Sequence, residues 1–435
     1  MTAHTIDDVT CLGCGCACDD IRVSVQNERI VEARNACVLG RAWFGDGTIP
    51  SINRVDGREA PLSEALAEAA DRLAGSAHPL VYLAPGISCE AQREAAGLAD
   101  LLRARLDSTT SANALPFIVA AQERGLASAT FGEIRNRADV ILFWAIDVGD
   151  RYPRFESRYA PAPAGLAVPN GRRGRRVIAV DVGAATSTAT DIDRRFAVSA
   201  QDEVAVLVAL QGLLREPTPA GVSLAPADDG PGWSTGRELA TELASGRYVA
   251  VVFDAEPDDR ERRSRQRFDA ILGLSHVLNQ RSRCAAVALR GGGNRSGADT
   301  VLTSQTGYPL GIDFSRGYPR YRPLADGAVA PDVGVVIGDV SLLTPPEIGA
   351  LRDASVIAIG PAASSTSLGT ASVTIDTGVA GIHESGSAVR ADDVPLPLRV
   401  SVPSVVSATD VIRALTLRVL ADARPRSTNE PAGTP

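Results

Sequence analysis

The 435-residue chain predicts a mainly parallel α/β fold, two doubly wound lobes set behind a small cysteine-rich β lobe. Three observations predict it. Short apolar runs recur at 80–84, 140–144, 177–180, 248–253, 333–337 and 356–359. Runs of that length without polar alternation fit strands buried on both faces. Helical stretches lie between them, as at 203–214 and 265–278. Lastly, five of the seven cysteines fall within the first 37 residues, ahead of the first such run.

The cysteine segment comes first. Cys11-Leu12-Gly13-Cys14-Gly15-Cys16-Ala17-Cys18-Asp19-Asp20 is joined further along by Cys37 in Asn35-Ala36-Cys37-Val38. Cys11, Cys14, Cys18 and Cys37 give C-x2-C-x3-C with a distant fourth thiol, a spacing suited to a 4Fe-4S cluster. Four thiolates must converge on one compact core, so three come from a tight turn and one from a returning loop. Ile21, Val23 and Val25 alternate with Arg22 and Ser24, and a polar turn leads into Ile30-Val31-Glu32-Ala33. That pattern predicts a β-hairpin, which would return Cys37 to the turn. Zinc is the competing occupant, although paired C-x2-C units are its commoner form; disulfides rank behind both. Cys16 is a fifth thiol and leaves the choice of ligands open.

Beyond the cysteines, Leu62, Leu66, Ala69 and Leu73 repeat at helical spacing, with Gly75 placed to end the helix. The run at 80–84 stops at Pro85-Gly86, and an alanine- and leucine-rich helix is expected from about 89 to 105. This order of strand, loop and helix recurs. The expected divisions are a cysteine lobe at 1–58 and one α/β lobe at 59–215 with part of the C-terminal segment. A second α/β lobe with the return segment follows at 216–423, then a disordered tail at 424–435. Segments 161–175 and 216–233, rich in proline and glycine, read as surface connections.

Composition excludes several classes of function. The net charge of -8 argues against a nucleic-acid or anionic-membrane partner. All 44 basic residues are arginines, so neither a phosphate-binding lysine of the Walker type nor a Schiff-base lysine is possible. No leader-like N-terminus or long apolar stretch is evident, and a cytoplasmic protein is expected.

Loops after the apolar runs are the places to seek ligands. The first carries Arg151, Arg154 and Arg158; the second, at 181–190, carries Thr186 and Thr188 at an expected helix start. Each reads equally as an anion site or as a capped helix beside a solvated basic loop. The third is Arg290-Gly291-Gly292-Gly293-Asn294-Arg295, continuing to Gln305, Thr306, Tyr308 and Arg316. Its glycines suit close backbone approach, to a cofactor or to a partner chain. His4, His78, His276 and His383 are scattered, and His383 reads as an exposed loop residue. Cys89 and Cys284 read as buried thiols.

Several segments together resemble one family. They are Cys11 to Asp20, Asn35-Ala36-Cys37, Asn136 to Asp139, Pro153-Arg154-Phe155 with Ser157-Arg158-Tyr159, Gly297-Ala298 with Val301-Leu302-Thr303, Gln305 to Pro309, Gly317 to Tyr321, and Gly381 to Gly386. The chain resembles the B subunit of formylmethanofuran dehydrogenase, the molybdenum or tungsten bis-pterin subunit of the molybdopterin-oxidoreductase superfamily. It is similar also to the bacterial relative in the formyltransferase/hydrolase complex. The resemblance makes Cys11, Cys14, Cys18 and Cys37 the cluster ligands. If a pterin were bound, Arg154, Thr186, Thr188, Gly292, Asn294, Gln305 and Thr306 would be its contacts.

The sequence departs from the family at the metal loop, 107–116. Asn113 stands where the family has cysteine or selenocysteine, and Ala114 where it has histidine. An amide cannot replace a soft thiolate on Mo or W, and alanine removes the imidazole. Arg290, which matches an arginine near the family's metal, is retained. The resemblance therefore implies a Mo/W bis-pterin site that has been lost, and a chain without the superfamily's C-terminal pterin-binding β-barrel. It implies a noncatalytic, structural subunit of a complex that moves formyl from tetrahydromethanopterin to a methanofuran-like carrier and releases formate. The partners would be a C-like subunit, an amidohydrolase-type hydrolase and a formyltransferase. The alternatives are an active Mo/W formylmethanofuran dehydrogenase subunit and an iron–sulfur electron-transfer module.

Overall fold

The computed structural model describes residues 3–215, 232–259, 262–323, 329–365, 371–403 and 406–422. The expected tail at 424–435 and most of the segment 216–233 lie outside them. Helices alternate with strands gathered into sheets of three, five, nine and two strands. The mixed α/β class follows the sequence expectation. No helix among the described residues is long and apolar enough to cross a membrane.

The N-terminal lobe is a three-stranded antiparallel sheet of Ala3–Val9, Ile21–Gln26 and Arg29–Arg34. The hairpin stands where the alternation placed it, and Ile21, Val23 and Val25 face its core. The strand Ala3–Val9 has no apolar pattern to announce it, because only Val9 of its residues is buried.

All six apolar runs become strands. Val140–Trp144, Tyr248–Asp254 and Arg176–Val182 lie in the five-stranded sheet with Arg194–Val198 and Arg283–Leu289, all parallel. Pro79–Leu83, Val333–Ile337 and Ser355–Gly360 form the parallel heart of the nine-stranded sheet, flanked by Arg105–Ser108 and Ala371–Asp376. Short antiparallel strands close both edges of that sheet. The continuous apolar character of each run reflects helices packed on both faces.

The linear division at 215/216 does not hold. The five-stranded sheet draws strands from both sides of it, and the nine-stranded sheet takes residues 53–108 and then 312–376. The region between them forms the other sheet. Periodicity marks a strand without saying which neighbour it pairs with, so the insertion left no trace in the pattern.

The segment 161–175 runs largely exposed, as a surface connection, and is anchored to the lobe by buried Arg175, which donates to the carbonyls of Ala138, Pro161, Pro163 and Arg135. Two local expectations are corrected. After Val182 no helix begins; the chain turns through 183–193 into the strand Arg194–Val198. His383 is buried as well. Its Nδ1 accepts from the Val379 N–H and its Nε2 donates to the Gly47 carbonyl. Cys89 and Cys284 are buried, as expected.

The C-terminal helix Ala408–Asp422 packs on helices Leu62–Ala74 and Cys89–Leu101, and Ala408 N–H donates to Glu384 Oε2 at 2.9 Å. Glu384 Oε1 is buried without a partner. Burial, helped by nearby Asp410 and Glu90, pushes the Glu384 carboxyl up to about 7. Because the folded chain holds that proton at pH values where the unfolded chain has released it, stability falls as pH rises from the ordinary carboxyl range toward 7. Glu384→Gln keeps an acceptor for Ala408 and is expected to raise stability by about 1–2 kcal/mol at pH 8. Urea unfolding at pH 5 and pH 8 checks this; an unchanged difference between the two pH values would count against the buried carboxyl.

Candidate functional site

The cysteine turn is closed by backbone bonds from Cys11 N–H to the Cys18 carbonyl and from Ala17 N–H to the Cys14 carbonyl. Gly13 N–H donates to Cys11 Sγ and Gly40 N–H donates to Cys37 Sγ, each at 3.4 Å. Cys37 caps the helix Val38–Phe44 and reaches the turn over Gly40. A Cβ on Gly40 would sit 3.3 Å from Cys11 Sγ and 3.8 Å from Cys37 Sγ, so Gly40 lies beside both thiols and leaves room at the first.

Electrostatics binds the four thiols into one group. Burial pushes the Cys11 thiol up, and charge on Cys14, Cys18 or Cys37 pushes it further. A hydrogen bond with Cys16 lowers Cys14 and raises Cys16 itself. Burial raises Cys18, while the guanidinium groups of Arg154 and Arg158 lower it. Those arginines are held in place by carboxylates. Arg154 grips Asp20 in a fork with both contacts at 2.6 Å, and Arg158 bonds Asp19 and lies 2.9 Å from Asp20. Arg154 thus serves the cysteine turn.

Among the described residues, no group of three or more His, Cys, Asp or Glu is placed to hold a metal ion. A tetrahedral zinc would need its sulfurs all about 2.3 Å from one point. A four-iron cube holds its thiolates farther apart, and the N–H···S bonds and nearby guanidiniums suit the anionic charge of thiolates around such a core.

The glycine loop packs against this turn. A Cβ on Gly15 would fall 2.1 Å from the Arg290 carbonyl oxygen, and one on Gly292 would fall 2.4 Å from the Leu12 carbonyl oxygen. Gly293 N–H donates to the Leu12 carbonyl, and Gly86 N–H donates to the Gly293 carbonyl, both at 2.8 Å. The expected approach of bare backbone is real, and its object is the cysteine segment of the same chain. Asn294 is engaged too. Its Nδ2 donates to the Ile87 carbonyl and its Oδ1 accepts from the Val389 N–H.

Arg290 stands at the centre of a buried ionic network. Its Nε donates to Glu256 Oε1 at 2.7 Å, its Nη1 bonds Asp299, and its Nη2 donates to Thr110 Oγ1 at 3.0 Å. Arg295 Nη1 donates to Glu256 Oε2 at 2.6 Å. Burial would raise the Glu256 carboxyl, but Arg290 and Arg295 outweigh it and hold it at about 2. Sequence reasoning missed Glu256, although it follows an apolar run, where binding loops are sought.

The loop 107–116 crosses above this network. Asn113 is buried, its Nδ2 donating to the Thr109 carbonyl at 3.0 Å, and Ala114 is fully buried. A cavity of about 10 Å³ touches Ser108, Thr109, Thr110, Gln92, Asn294 and Arg295. That is room for about one water, against the several hundred Å³ of a ligand site. The nearby thiol of Cys89 faces the Asn294 side chain and is pushed up by burial. At the two positions where the family has thiolate and imidazole, this segment offers an amide and a methyl group, while Asp107 Oδ2, Ser108 Oγ and Thr109 Oγ1 beside them are buried without a partner.

The remaining candidates lie apart. Thr188 Oγ1 donates to Asp147 and accepts from Gly149 N–H, while Thr186 borders a cavity of about 890 Å³ beyond the five-stranded sheet. Thr306 donates to the Leu302 carbonyl at the far end of the helix Arg295–Thr306, and Gln305 beside it is exposed. Cysteine turn, glycine loop and metal loop are brought together; the two threonines of 186–188 and the pair at 305–306 are not.

Sheets, cysteine turn and glycine loop together define a mixed α/β protein with an N-terminal thiol lobe docked against its strand ends. No protein-family profile matches the chain. It is 29% identical over 413 residues to the B subunit of tungsten-containing formylmethanofuran dehydrogenase 2 from Methanocaldococcus jannaschii, covering 91% of this chain and 93% of that one. The corresponding B subunit from Methanococcus maripaludis is also 29% identical, over 90% of this chain and 93% of its own. A chain in the crystal structure of the formyltransferase/hydrolase complex FhcABCD from Methylorubrum extorquens, with methylofuran, shares the fold. The TM-score is 0.69 at 23% identity, with 85% of this chain and 99% of that chain covered. The chain is thus similar along nine-tenths of its length to formylmethanofuran dehydrogenase B subunits, in line with the resemblance its sequence motifs carry.

Proposed function

We propose that this chain is a noncatalytic, structural B subunit of a cytoplasmic formyltransferase/hydrolase complex. Other subunits, a formyltransferase, an amidohydrolase-type hydrolase and a C-like partner, would move formyl from tetrahydromethanopterin to a methanofuran-like carrier and release formate. Asn113 carries the reading: a neutral amide, bonded to its own helix, stands where the family's soft metal ligand belongs. The molybdopterin-oxidoreductase-like architecture would persist as a frame without bis-pterin chemistry. Support for assembly comes from the fold shared with the FhcABCD chain. Assaying the purified complex tests the role directly. Formate release from formyl-tetrahydromethanopterin is expected without any electron acceptor, and a strict requirement for an acceptor would refute the structural role.

An active tungsten enzyme is the second reading, favoured by the tungsten-containing relatives across nine-tenths of the chain. It would need a ligand other than the missing thiolate, or direct oxo and dithiolene coordination.

In the N-terminal lobe, Cys11, Cys14, Cys18 and Cys37 would hold a 4Fe-4S cluster, with zinc as the alternative. When bound, the group would tie the turn to the helix Val38–Phe44. Arg154 and Arg158 would balance the thiolate charge on Cys18. Iron in the purified protein is expected to drop on Cys18→Ser and to persist on Cys16→Ser, read by elemental analysis and visible absorption. Equal loss from both would remove Cys16 from its position as the spare thiol.

A further inference from the structure

We propose that the hairpin 312–321 is a docking surface for an acidic face of another subunit, whose carboxylates meet Arg316 and Arg322 while its side chains pack on Tyr318 and Tyr321. That the occupant belongs to the same assembly rests on the proposed function; the chemistry of the surface rests on these residues alone.

Tyrosine placement is the first observation. Of the chain's seven tyrosines, Tyr82, Tyr152, Tyr159 and Tyr248 are buried. The three that reach solvent, Tyr308, Tyr318 and Tyr321, all lie on or against this hairpin, at the outer edge of the nine-stranded sheet. Tyr318 is 54% and Tyr321 46% exposed, and the Tyr321 ring lies 6.1 Å from that of Tyr308. Exposed Val329 continues the surface beside Arg105, whose Nη2 donates to the Val329 carbonyl at 2.6 Å. Scattered singly, such side chains need no explanation; gathered with arginines on one edge, they have the composition of an interface centre.

Charge is the second observation. The chain carries -8 overall, yet Arg105, Arg316, Arg320 and Arg322 gather here. Asp313 takes Arg320 at 2.8 Å and Arg322 at 3.5 Å, and Asp107 acts on Arg105 from within. Both carboxylates are only 1% exposed, so the negative charge is inside and the positive charge faces water. Arg316 and Tyr318 lie in the exposed turn that closes the hairpin, where Gly317 N–H donates to the Phe314 carbonyl at 2.8 Å. Among the described residues neither side chain has a hydrogen bond or ion pair.

Position and charge narrow the occupant. Arg105 opens the strand Arg105–Ser108 and Val329 precedes Val333–Ile337. The patch therefore extends to the amino ends of the parallel strands, opposite the carboxyl ends where small ligands collect. A second copy related by a two-fold axis would set arginine against arginine. A nucleic acid would bring its dense negative charge against the whole chain's -8, whereas a few carboxylates meet only the patch, within a screening length of about 8 Å.

The test is brief hydroxyl-radical footprinting, read by mass spectrometry, of the purified native complex and of the free full-length chain. Tyr318 and Tyr321 are expected to be oxidised in the free chain and protected in the complex. Arg316→Glu combined with Tyr318→Ala is expected to weaken subunit association about tenfold or more. Because neither side chain is bonded within the chain, the thermal midpoint of the free variant should stay in place. Equal oxidation in complex and free chain, or unchanged association of the variant, overturns the inference. So does protection produced by concentrating the free chain, which marks a second copy, or by adding an oligonucleotide. Purification of the chain without any partner would remove the assembly and this surface together; a partnered complex with Tyr318 still open to oxidation removes this surface alone.

Discussion

Glu256→Gln is expected to destabilise the protein by roughly 3–5 kcal/mol, the range for breaking a buried ion pair by removing one partner. The carboxylate is 2% exposed and accepts from Arg290, Arg295 and the Gly291 N–H. An amide offers one oxygen and no charge. Arg290 would keep Asp299, but Arg295 would lose its buried counter-ion. Against a typical total of about 5–15 kcal/mol, the loss would shift the urea midpoint by a large fraction. The sign with pH is set by the depressed carboxyl. Its folded value of about 2 lies below the ordinary carboxyl range, so its contribution is complete above that range and vanishes as pH falls toward 2. Asp299 works in the opposite direction, because burial raises its carboxyl despite Arg290. The difference between wild type and Glu256→Gln isolates the first effect. That difference should shrink between pH 7 and pH 3; a difference below about 1 kcal/mol at pH 7 would mean that the network contributes little.

The second large effect is expected from Gly292→Ala. The added Cβ would meet the Leu12 carbonyl oxygen at 2.4 Å, and Cys14 N and the Gly13 carbonyl carbon at 2.8 Å. All three are backbone atoms, so no rotamer change relieves the clash. A cost of about 3 kcal/mol or more is expected, with the cysteine turn pushed away from the strand ends. Gly97→Ala makes the contrast. Gly97 is exposed within the helix Cys89–Leu101 and meets nothing within 4 Å, so alanine there should stabilise by about 1 kcal/mol. Denaturant midpoints for both variants, and the rate of proteolysis near residues 11–37 in the first, check the pair. Equal midpoints would mean that the glycine loop and the turn are not packed as described.

Part of this structure is legible in the sequence, and the reasons are physical. Strands such as Tyr248–Asp254 bury every residue, so their apolar character is unbroken. Arg283–Leu289 is equally a core strand, but three alanines and an exposed arginine give it no strong apolar signal. Arg105–Ser108 is polar because its Asp107 carboxylate accepts from the Ser108 and Gly311 N–H groups inside the protein. The cysteine spacing is local and therefore legible; the convergence of Thr110, Glu256, Arg290, Arg295 and Asp299 depends on segments far apart in the chain. For the same reason, nothing local in the sequence shows that Arg154 and Asn294, implied contacts if a pterin were bound, are bonded within the chain to Asp20 and to the backbone of Ile87 and Val389. Insertion of one sheet between the two halves of the other is likewise absent from any local pattern.

The central claim is that oxidation–reduction at a pterin-bound metal has been lost while its scaffold remains. Elemental analysis of the purified native complex for Mo, W, Fe and Zn, combined with a search for released pterin, tests it most directly. The account predicts neither Mo nor W above trace level and no pterin, with iron or zinc confined to the cysteine lobe. Stoichiometric tungsten or molybdenum accompanied by a pterin would contradict it.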